Sequence, residues 1–128
     1  MATYTLLLTH SPFNDCRHLL AQRFIEALPA EHSIRQVFLY NEAVMVANAC
    51  QQPAQGQVNM LDQWLSLADK HSFTVSACIA NSLRRGLVDA QERERYELPA
   101  VTIDERISLV GLGEIAEAYI NGDRVLQF

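Results

Sequence analysis

The sequence is short of positive charge, and this shortage excludes one broad class of function. Ten Lys and Arg residues stand against fifteen Asp and Glu residues, which gives a formal net charge of −5 at pH 7. A protein that grips phosphate backbones needs a basic surface. Direct nucleic-acid binding is therefore disfavoured.

Cysteine is also scarce, and the cysteines follow no familiar pattern. Cys16, Cys50 and Cys78 are an odd number, so a fully paired disulfide framework is impossible. They form neither a CxxC pair nor the His/Cys spacing of a metal site. The sequence has no apolar run of the about 20 residues that a membrane helix needs, and its start lacks the basic region of a signal peptide. We expect a soluble, cytoplasmic protein with free thiols.

The length and the apolar content predict one domain over residues 1–128. The chain has 128 residues, of which 49% are hydrophobic and 20% charged, as in an ordinary globular domain. Stretches with strand character alternate with stretches of helical periodicity. The predicted strands cover residues 3–9, 34–40, 73–78, 107–110 and 124–128. The predicted helices cover residues 19–28, 42–50, 58–70, 79–85 and 89–96, with a last one through residues 115–119. Leu19 and Leu20 belong to the apolar set at helical spacing in the first of these helices. Gly86 is predicted to end the helix over residues 79–85. This alternation predicts an α/β fold: a mostly parallel five-stranded sheet with helices on both faces.

Ligands and chemistry gather beyond the carboxyl ends of the strands in such a sheet. Those ends carry His10, Tyr40, Cys78 and the turn over residues 111–113. His10 is a ligand or base in one interpretation, but a lone histidine is more often a hydrogen-bonded structural residue, which is the role expected here. Cys78 is the strongest candidate, because it lies where a strand passes into a helix and backbone N–H groups there favour a thiolate. The alternative is that Cys78 serves only as a small buried apolar side chain. No positioned base is evident nearby, which counts against a protease-like nucleophile, whereas sulfur transfer needs only access and a lowered thiol pKa.

Arg84 and Arg85 follow Cys78 by six and seven residues, about 9–10 Å along a helix, so we expect long-range or docking support from them. Cys16 and His18 should point to different sides of a helix, which favours structural roles for both. Cys50 borders a polar loop. It is either a thiol that exchanges with another thiol or a residue with only a packing or surface role.

The turn over residues 111–113 matches a weak dinucleotide-binding fingerprint. Gly111, Gly113 and Ala116 fit the G-x-G-x-x-A pattern after a strand, but only twelve residues follow Ala116. The acidic residue that holds the ribose is expected about 20 residues further on. The alternative is a tight turn that requires small residues. Three further interpretations are structural: a capping role for Asn14 or Asp15, a core position for Trp64, and a solvated helix face for residues 92–95.

Taken together, residues 78–89, 109–118 and 123–128 resemble the TusD/DsrE sulfurtransferase family, and the segment over residues 37–48 fits as well. The resemblance covers nearly the whole chain. It implies a parallel α/β fold and a persulfide carried on Cys78, with no metal or organic cofactor. It also implies a heterohexamer with TusB-like and TusC-like subunits, a TusA-like sulfur donor and a TusE-like acceptor. The sulfur would then serve 2-thiouridine formation at the tRNA wobble position, with a separate thiouridylase contacting the tRNA.

Three alternatives stay open. A DsrE subunit of a DsrEFH complex would use the same fold in dissimilatory sulfur oxidation. A homologous subunit could also be a non-catalytic interaction partner in such a complex. The third is a small-ligand or nucleotide-binding module that uses the turn over residues 111–113.

Overall fold

The computed structural model describes residues 1–13 and 15–128. Five strands form one sheet in the order β4-β3-β2-β1-β5, and every neighbouring pair is parallel. The strands are β1 Thr3–Leu8, β2 Ser33–Leu39, β3 Thr74–Cys78, β4 Ser108–Val110 and β5 Arg124–Gln127. The helices are α1 Arg17–Ala27, α2 Met60–His71, α3 Ile79–Arg84, α4 Ala90–Tyr96 and α5 Gly113–Ile120, with a 3₁₀ helix over Asn41–Ala47. The predicted α/β fold is confirmed, and the sheet is wholly parallel.

The strand order places helices on both faces of the sheet. Strands β1 to β4 are added in one direction, whereas β5 returns to the outer side of β1. Because such crossovers are right-handed, the helices before β4 and helix α5 cover opposite faces. Leu6, Val37 and Val75 belong to the main core, which α1 and α2 cover and in which Trp64 is fully buried. The predicted core position of Trp64 is confirmed.

Helix α1 buries a different set of side chains from the one its leucines predict. His18, Ala21 and Ile25 face the core, at the i, i+3, i+7 spacing of one helix face. Leu19 and Leu20, which helical periodicity assigned to the apolar set, are exposed on the outer side. The inward position of a histidine shifts the buried face by one residue, and leucine spacing alone does not reveal this.

The start of α1 is held by Asp15. Its Oδ1 accepts a hydrogen bond from the backbone N–H of Arg17 at 2.8 Å, as predicted for a capping residue. This contact lowers the pKa of the Asp15 carboxyl. The alternative cap, Asn14, lies outside the described residues.

An ion pair stabilises the position of β5 beside β1. The register between β1 and β2 shifts after Tyr4, which makes Arg35 an extra residue in β2. Arg35 donates from Nε and Nη2 to Asp123, at 2.7 and 2.9 Å, and Thr5 donates its hydroxyl to the same carboxylate at 2.9 Å. The Asp123 side chain is 1% exposed. The Arg35 hydrogen bonds hold the pKa of Asp123 below its usual value.

The predicted helix boundaries need small corrections. The segment predicted as a helix over residues 42–50 is a 3₁₀ helix that ends at Ala47. Helix α2 begins at Met60 because Asn59 caps it, accepting from the N–H of Asp62 at 3.3 Å. Gly86 follows α3 with φ of +75°, as predicted for a helix-terminating glycine. Among the described residues, no helix is both long and apolar enough to cross a membrane.

Candidate functional site

Cys78 is the last residue of β3 and the first boundary residue of α3. Its Cα pairs with that of Val110 in β4, so it lies at the carboxyl end of the sheet, as predicted. Side chains along a strand point alternately to the two faces of the sheet, and the β3 neighbours of Cys78 belong to the main core. Cys78 therefore faces the side of the sheet that α5 covers, not the side that α1 and α2 cover. Cys78 is a free thiol and only 4% exposed.

The side chain of Cys78 accepts no hydrogen bond from the amides at the start of α3, considering the described part of the chain. Within that part, the structure therefore shows no hydrogen bond by which these backbone amides would stabilise a Cys78 thiolate in the predicted way. Burial also limits access, because sulfur transfer requires the attacking and leaving sulfurs to meet in line. Any transfer at Cys78 would require a local opening of the surrounding residues.

Two buried hydroxyls flank Cys78 along the chain. Ser76 lies two residues earlier on the same face of β3, and Ser82 lies four residues later on α3. They are 5% and 0% exposed. Neither Oγ has a hydrogen-bond partner within residues 1–13 and 15–128. Sequence reasoning missed both serines, although their spacing of −2 and +4 from Cys78 was visible.

The two arginines after Cys78 behave differently. Arg85 donates from Nη2 to the Glu42 carboxylate at 2.6 Å and from Nη1 to the carbonyl of Asn81 at 3.1 Å. It therefore ties α3 to the 3₁₀ helix, and its charge is compensated by Glu42. Arg84 is exposed. The prediction that neither arginine touches Cys78 agrees with these contacts, and support by docking stays a prediction for Arg84.

The turn over residues 111–113 does not require small residues. Neither Gly111 nor Gly113 has a positive φ, and a Cβ built on either would meet no atom of the described chain within 4 Å. The prediction of a turn that needs glycine is therefore wrong at both positions. Leu112 between them is exposed.

The other cysteines lie on the surface. Cys16 immediately precedes α1, and Cys50 lies in the segment after the 3₁₀ helix, where its N–H donates to Oδ1 of Asn48 at 2.9 Å. Both are exposed. Cys16 and His18 point to different sides of the helix as predicted, since His18 is fully buried.

The histidines have structural contacts. His10 Nδ1 lies 3.1 Å from the Thr9 hydroxyl, in line with the predicted hydrogen-bonded role of this side chain. His18 Nε2 lies 2.7 Å from the His10 carbonyl oxygen. The importance of His18 was missed, although its spacing from Ile25 on one helix face was a signal for it.

The charged segment over residues 92–95 is only partly a solvated face. Glu92 is 3% exposed, and its Oε1 lies 3.6 Å from Nη1 of Arg95. The prediction of a wholly solvated face is wrong at Glu92, because this position of α4 faces the protein. No group of three or more His, Cys, Asp or Glu side chains that could hold a metal ion occurs in the described residues. That no cofactor is needed stays a prediction.

Comparison with known proteins identifies the family. Residues 2–128 match the DsrE/DsrF-like family. The chain belongs to this family. Curated relatives named "Sulfurtransferase TusD" are 36% identical in Serratia proteamaculans and 35% identical in Pectobacterium carotovorum, with each chain covered over 100% of its length. The relative of the same name in Photorhabdus laumondii is 36% identical, with 98% of this chain and 97% of the relative covered.

Solved structures share the architecture of this DsrE/DsrF-like protein. The ychN protein from E. coli superposes with a TM-score of 0.72 at 20% identity, and the two chains are covered completely. The protein MTH1491 from Methanobacterium thermoautotrophicum gives a TM-score of 0.67 at 17% identity, also with complete coverage. At these identities the likeness concerns the fold. The predictions of the family, the fold and a sulfurtransferase are confirmed.

Proposed function

We propose that this sulfurtransferase relays sulfur as a persulfide on Cys78. The observation that carries the proposal is the position of this residue: of the three cysteines, Cys78 is the one at the carboxyl end of a parallel strand, beside β4 and at the start of α3. Ligand sites of open α/β sheets lie at that edge. Cys16 and Cys50 are exposed and lie outside the strands.

The transfer is a pair of thiol–disulfide exchanges. The Cys78 thiolate attacks the outer sulfur of a donor persulfide, so that a new S–S bond forms as the donor S–S bond breaks and the donor leaves as a thiolate. Cys78 then carries the outer sulfur as Cys78–S–S⁻. An acceptor thiolate attacks that outer sulfur, and the Cys78 thiolate leaves. Neither step needs an oxidant or a reductant, because each bond formed replaces one of the same kind.

The physiological partners in this proposal are proteins. The donor is a TusA-like carrier, the acceptor is a TusE-like protein, and TusB-like and TusC-like subunits complete a cytoplasmic heterohexamer that serves 2-thiouridine formation in tRNA. The net charge of −5 favours protein partners over RNA. Exposed Leu112, Tyr119 and Ile120, on and beside α5, support an interface with another subunit on the Cys78 face of the sheet.

Reconstitution of the relay with its partner proteins tests this function. Single variants Cys78→Ser, Cys16→Ser and Cys50→Ser are compared for 2-thiouridine formed in tRNA. We expect loss with Cys78→Ser and near-normal yield with the other two. Full yield with Cys78→Ser would favour the alternative of a non-catalytic interaction subunit.

A second alternative is a DsrE subunit in dissimilatory sulfur oxidation, which the same fold and the same cysteine chemistry would serve. Deletion of the gene followed by mass analysis of tRNA nucleosides separates the two. We expect wobble 2-thiouridine to disappear. Unchanged 2-thiouridine would favour the oxidative pathway.

A further inference from the structure

We infer that the outer edge of β4 binds an extended, basic segment of a partner protein as a sixth strand of the sheet. The surface concerned is formed by β4, the start of α4 and the segment over residues 101–107, and we call it the β4 edge site. This inference goes beyond the proposed function, because it does not depend on what Cys78 carries.

The first argument is the unpaired edge of the sheet. Strand β4 is the outermost strand on its side, and it pairs with β3 alone in the part of the chain that the structure describes. Outside that pairing, no backbone hydrogen bond among the described residues involves Ser108, Leu109 or Val110. Such an edge presents N–H and C=O groups with which a further strand can pair. Residues 107–110 contain neither proline nor a charged side chain, two of the usual means of blocking that pairing.

The second argument is a cavity of about 510 Å³ beside this edge. Ile107, Ser108 and Leu109 all line it, together with the start of α4 and residues of the segment before β4. Consecutive side chains of a strand point to opposite faces of the sheet, so a cavity lined by three consecutive residues follows the edge of the strand and not one face. Open space therefore lies alongside β4 on the side where a further strand would run, about 4.8 Å away.

The third argument is the chemistry of the lining. Val101, Ile103 and Leu109 present apolar surface to the cavity. An added strand turns every second side chain toward such a surface, so the segment should have apolar residues at alternate positions. The charged groups of the lining are both carboxylates, Asp89 and Glu105, and no Lys, Arg or His of the described chain lines the cavity. Lysine or arginine side chains of the segment would complement these charges.

The same carboxylates disfavour two other occupants. A second copy of this chain, joined edge to edge through β4, would bring Asp89 and Glu105 of both copies to one interface, where like charges repel. A nucleic acid would bring its phosphates to the same two groups. Val110 pairs with Cys78 of β3, so a segment added to β4 would lie two strand spacings, about 10 Å, from the strand that carries Cys78. The β4 edge site would thus hold a partner protein beside the candidate sulfur site.

A peptide titration tests the β4 edge site. The full-length protein, labelled with ¹⁵N, is titrated with a capped peptide in which valine alternates with threonine and a lysine stands at each end. One control peptide has glutamate in place of lysine, and a second has methyl groups on alternate backbone nitrogens, which prevents strand pairing. We expect saturable amide shifts centred on residues 101–110 with the lysine peptide, and binding of both control peptides weaker by about tenfold or more.

Charge reversal in the protein separates this site from general attraction to an acidic protein. Glu105→Lys is compared with Glu31→Lys, which changes the net charge equally at an exposed position outside the β4 edge site. We expect Glu105→Lys to weaken binding of the lysine peptide about fivefold and to strengthen binding of the glutamate peptide. We expect Glu31→Lys to bind both peptides as the wild type does.

Several results would overturn the inference. They are equal binding of the methylated peptide, equal effects of the two charge reversals, shifts centred on another surface, and no saturable binding at millimolar peptide. Shifts at residues 108–110 that depend on protein concentration without any peptide would also overturn it, since they would identify a second copy as the occupant. No sulfur is transferred in these measurements, so their outcome is independent of the proposed relay.

Discussion

Trp64 donates its indole N–H to Nδ1 of His18 across 3.0 Å, inside the main core. His18 donates its Nε2–H in turn to the carbonyl oxygen of His10, at 2.7 Å. Both ring nitrogens are satisfied only in the neutral tautomer that carries its proton on Nε2. The pair joins α1 to α2 and anchors the segment after β1 at the carboxyl edge of the sheet.

The first prediction concerns the pH dependence of this pair. Burial lowers the pKa of His18, while its hydrogen bond to the His10 carbonyl and the nearby charge of Asp15 act in the opposite direction and the His10 ring adds to the lowering. Below about pH 6.5 the unfolded chain binds a proton at this residue that the folded protein excludes, so the free energy of unfolding should fall as the pH falls. Urea unfolding at pH 7.5 and pH 5.5 measures this, and the fall should be smaller in His18→Asn. An equal fall in the variant and the wild type would contradict the prediction.

The second prediction concerns the anchor of β5. Asp123→Asn removes the charge that Arg35 and Thr5 contact and should destabilise the protein by about 1–3 kcal/mol at pH 7. Because the pKa of Asp123 is lowered in the folded state, its contribution is complete above about pH 4 and is lost as the pH falls through the folded value. Urea unfolding at pH 7 and pH 3 tests this, with exposed Asp69→Asn as the control. If Asp123→Asn lowered the free energy of unfolding by the same amount at pH 7 and pH 3, the ionised carboxylate would not be the cause of the stabilisation.

The third prediction concerns thiol access. Exposed Cys16 and Cys50 should react with iodoacetamide faster than Cys78 by about an order of magnitude or more, since Cys78 must wait for local opening. In denaturing urea the three rates should converge. Peptide mapping of a time course measures all three sites in one sample. If Cys78 reacted fastest in the native protein, its burial would not describe the protein in solution.

The fourth prediction compares two glycines. Gly86→Ala places a side chain at φ of +75° and should cost about 1–2 kcal/mol of unfolding free energy. Gly111→Ala meets open space without a positive φ and should be neutral or slightly stabilising. Thermal and urea unfolding of both variants gives the comparison. Equal destabilisation at the two positions would restore the requirement for a small residue at 111.

Much of the fold could be predicted from local sequence patterns. The runs around residues 34–40 and 73–78 predicted buried parallel strands, and Gly86 predicted a helix end, because these signals act within a few residues. The parallel sheet in turn predicted that Cys78 would lie at its carboxyl edge. The pairing of Arg35 with Asp123 could not be predicted, since it joins residues 88 positions apart.

The predictions that proved wrong concern features that depend on tertiary contacts. Glu92 is buried although its neighbours are charged, and Leu19 is exposed although it is apolar. In both cases the orientation of the helix against the sheet decides which side chains face inward, and composition does not report it. The unsatisfied state of Ser76 and Ser82 belongs to the same class, because it depends on what lacks contact rather than on what the sequence contains.

The most direct test of the central claim is the site of sulfur loading. Two forms are compared: Cys16→Ser/Cys50→Ser, in which Cys78 is the sole cysteine, and Cys78→Ser, which keeps the other two. Both are incubated with a cysteine desulfurase, cysteine and a TusA-like carrier, together with the partner subunits, and analysed by intact mass. We predict a gain of about 32 Da, one reducible sulfur atom, in the first form and none in the second. A gain confined to the second form, or none in either, would contradict a persulfide relay through Cys78.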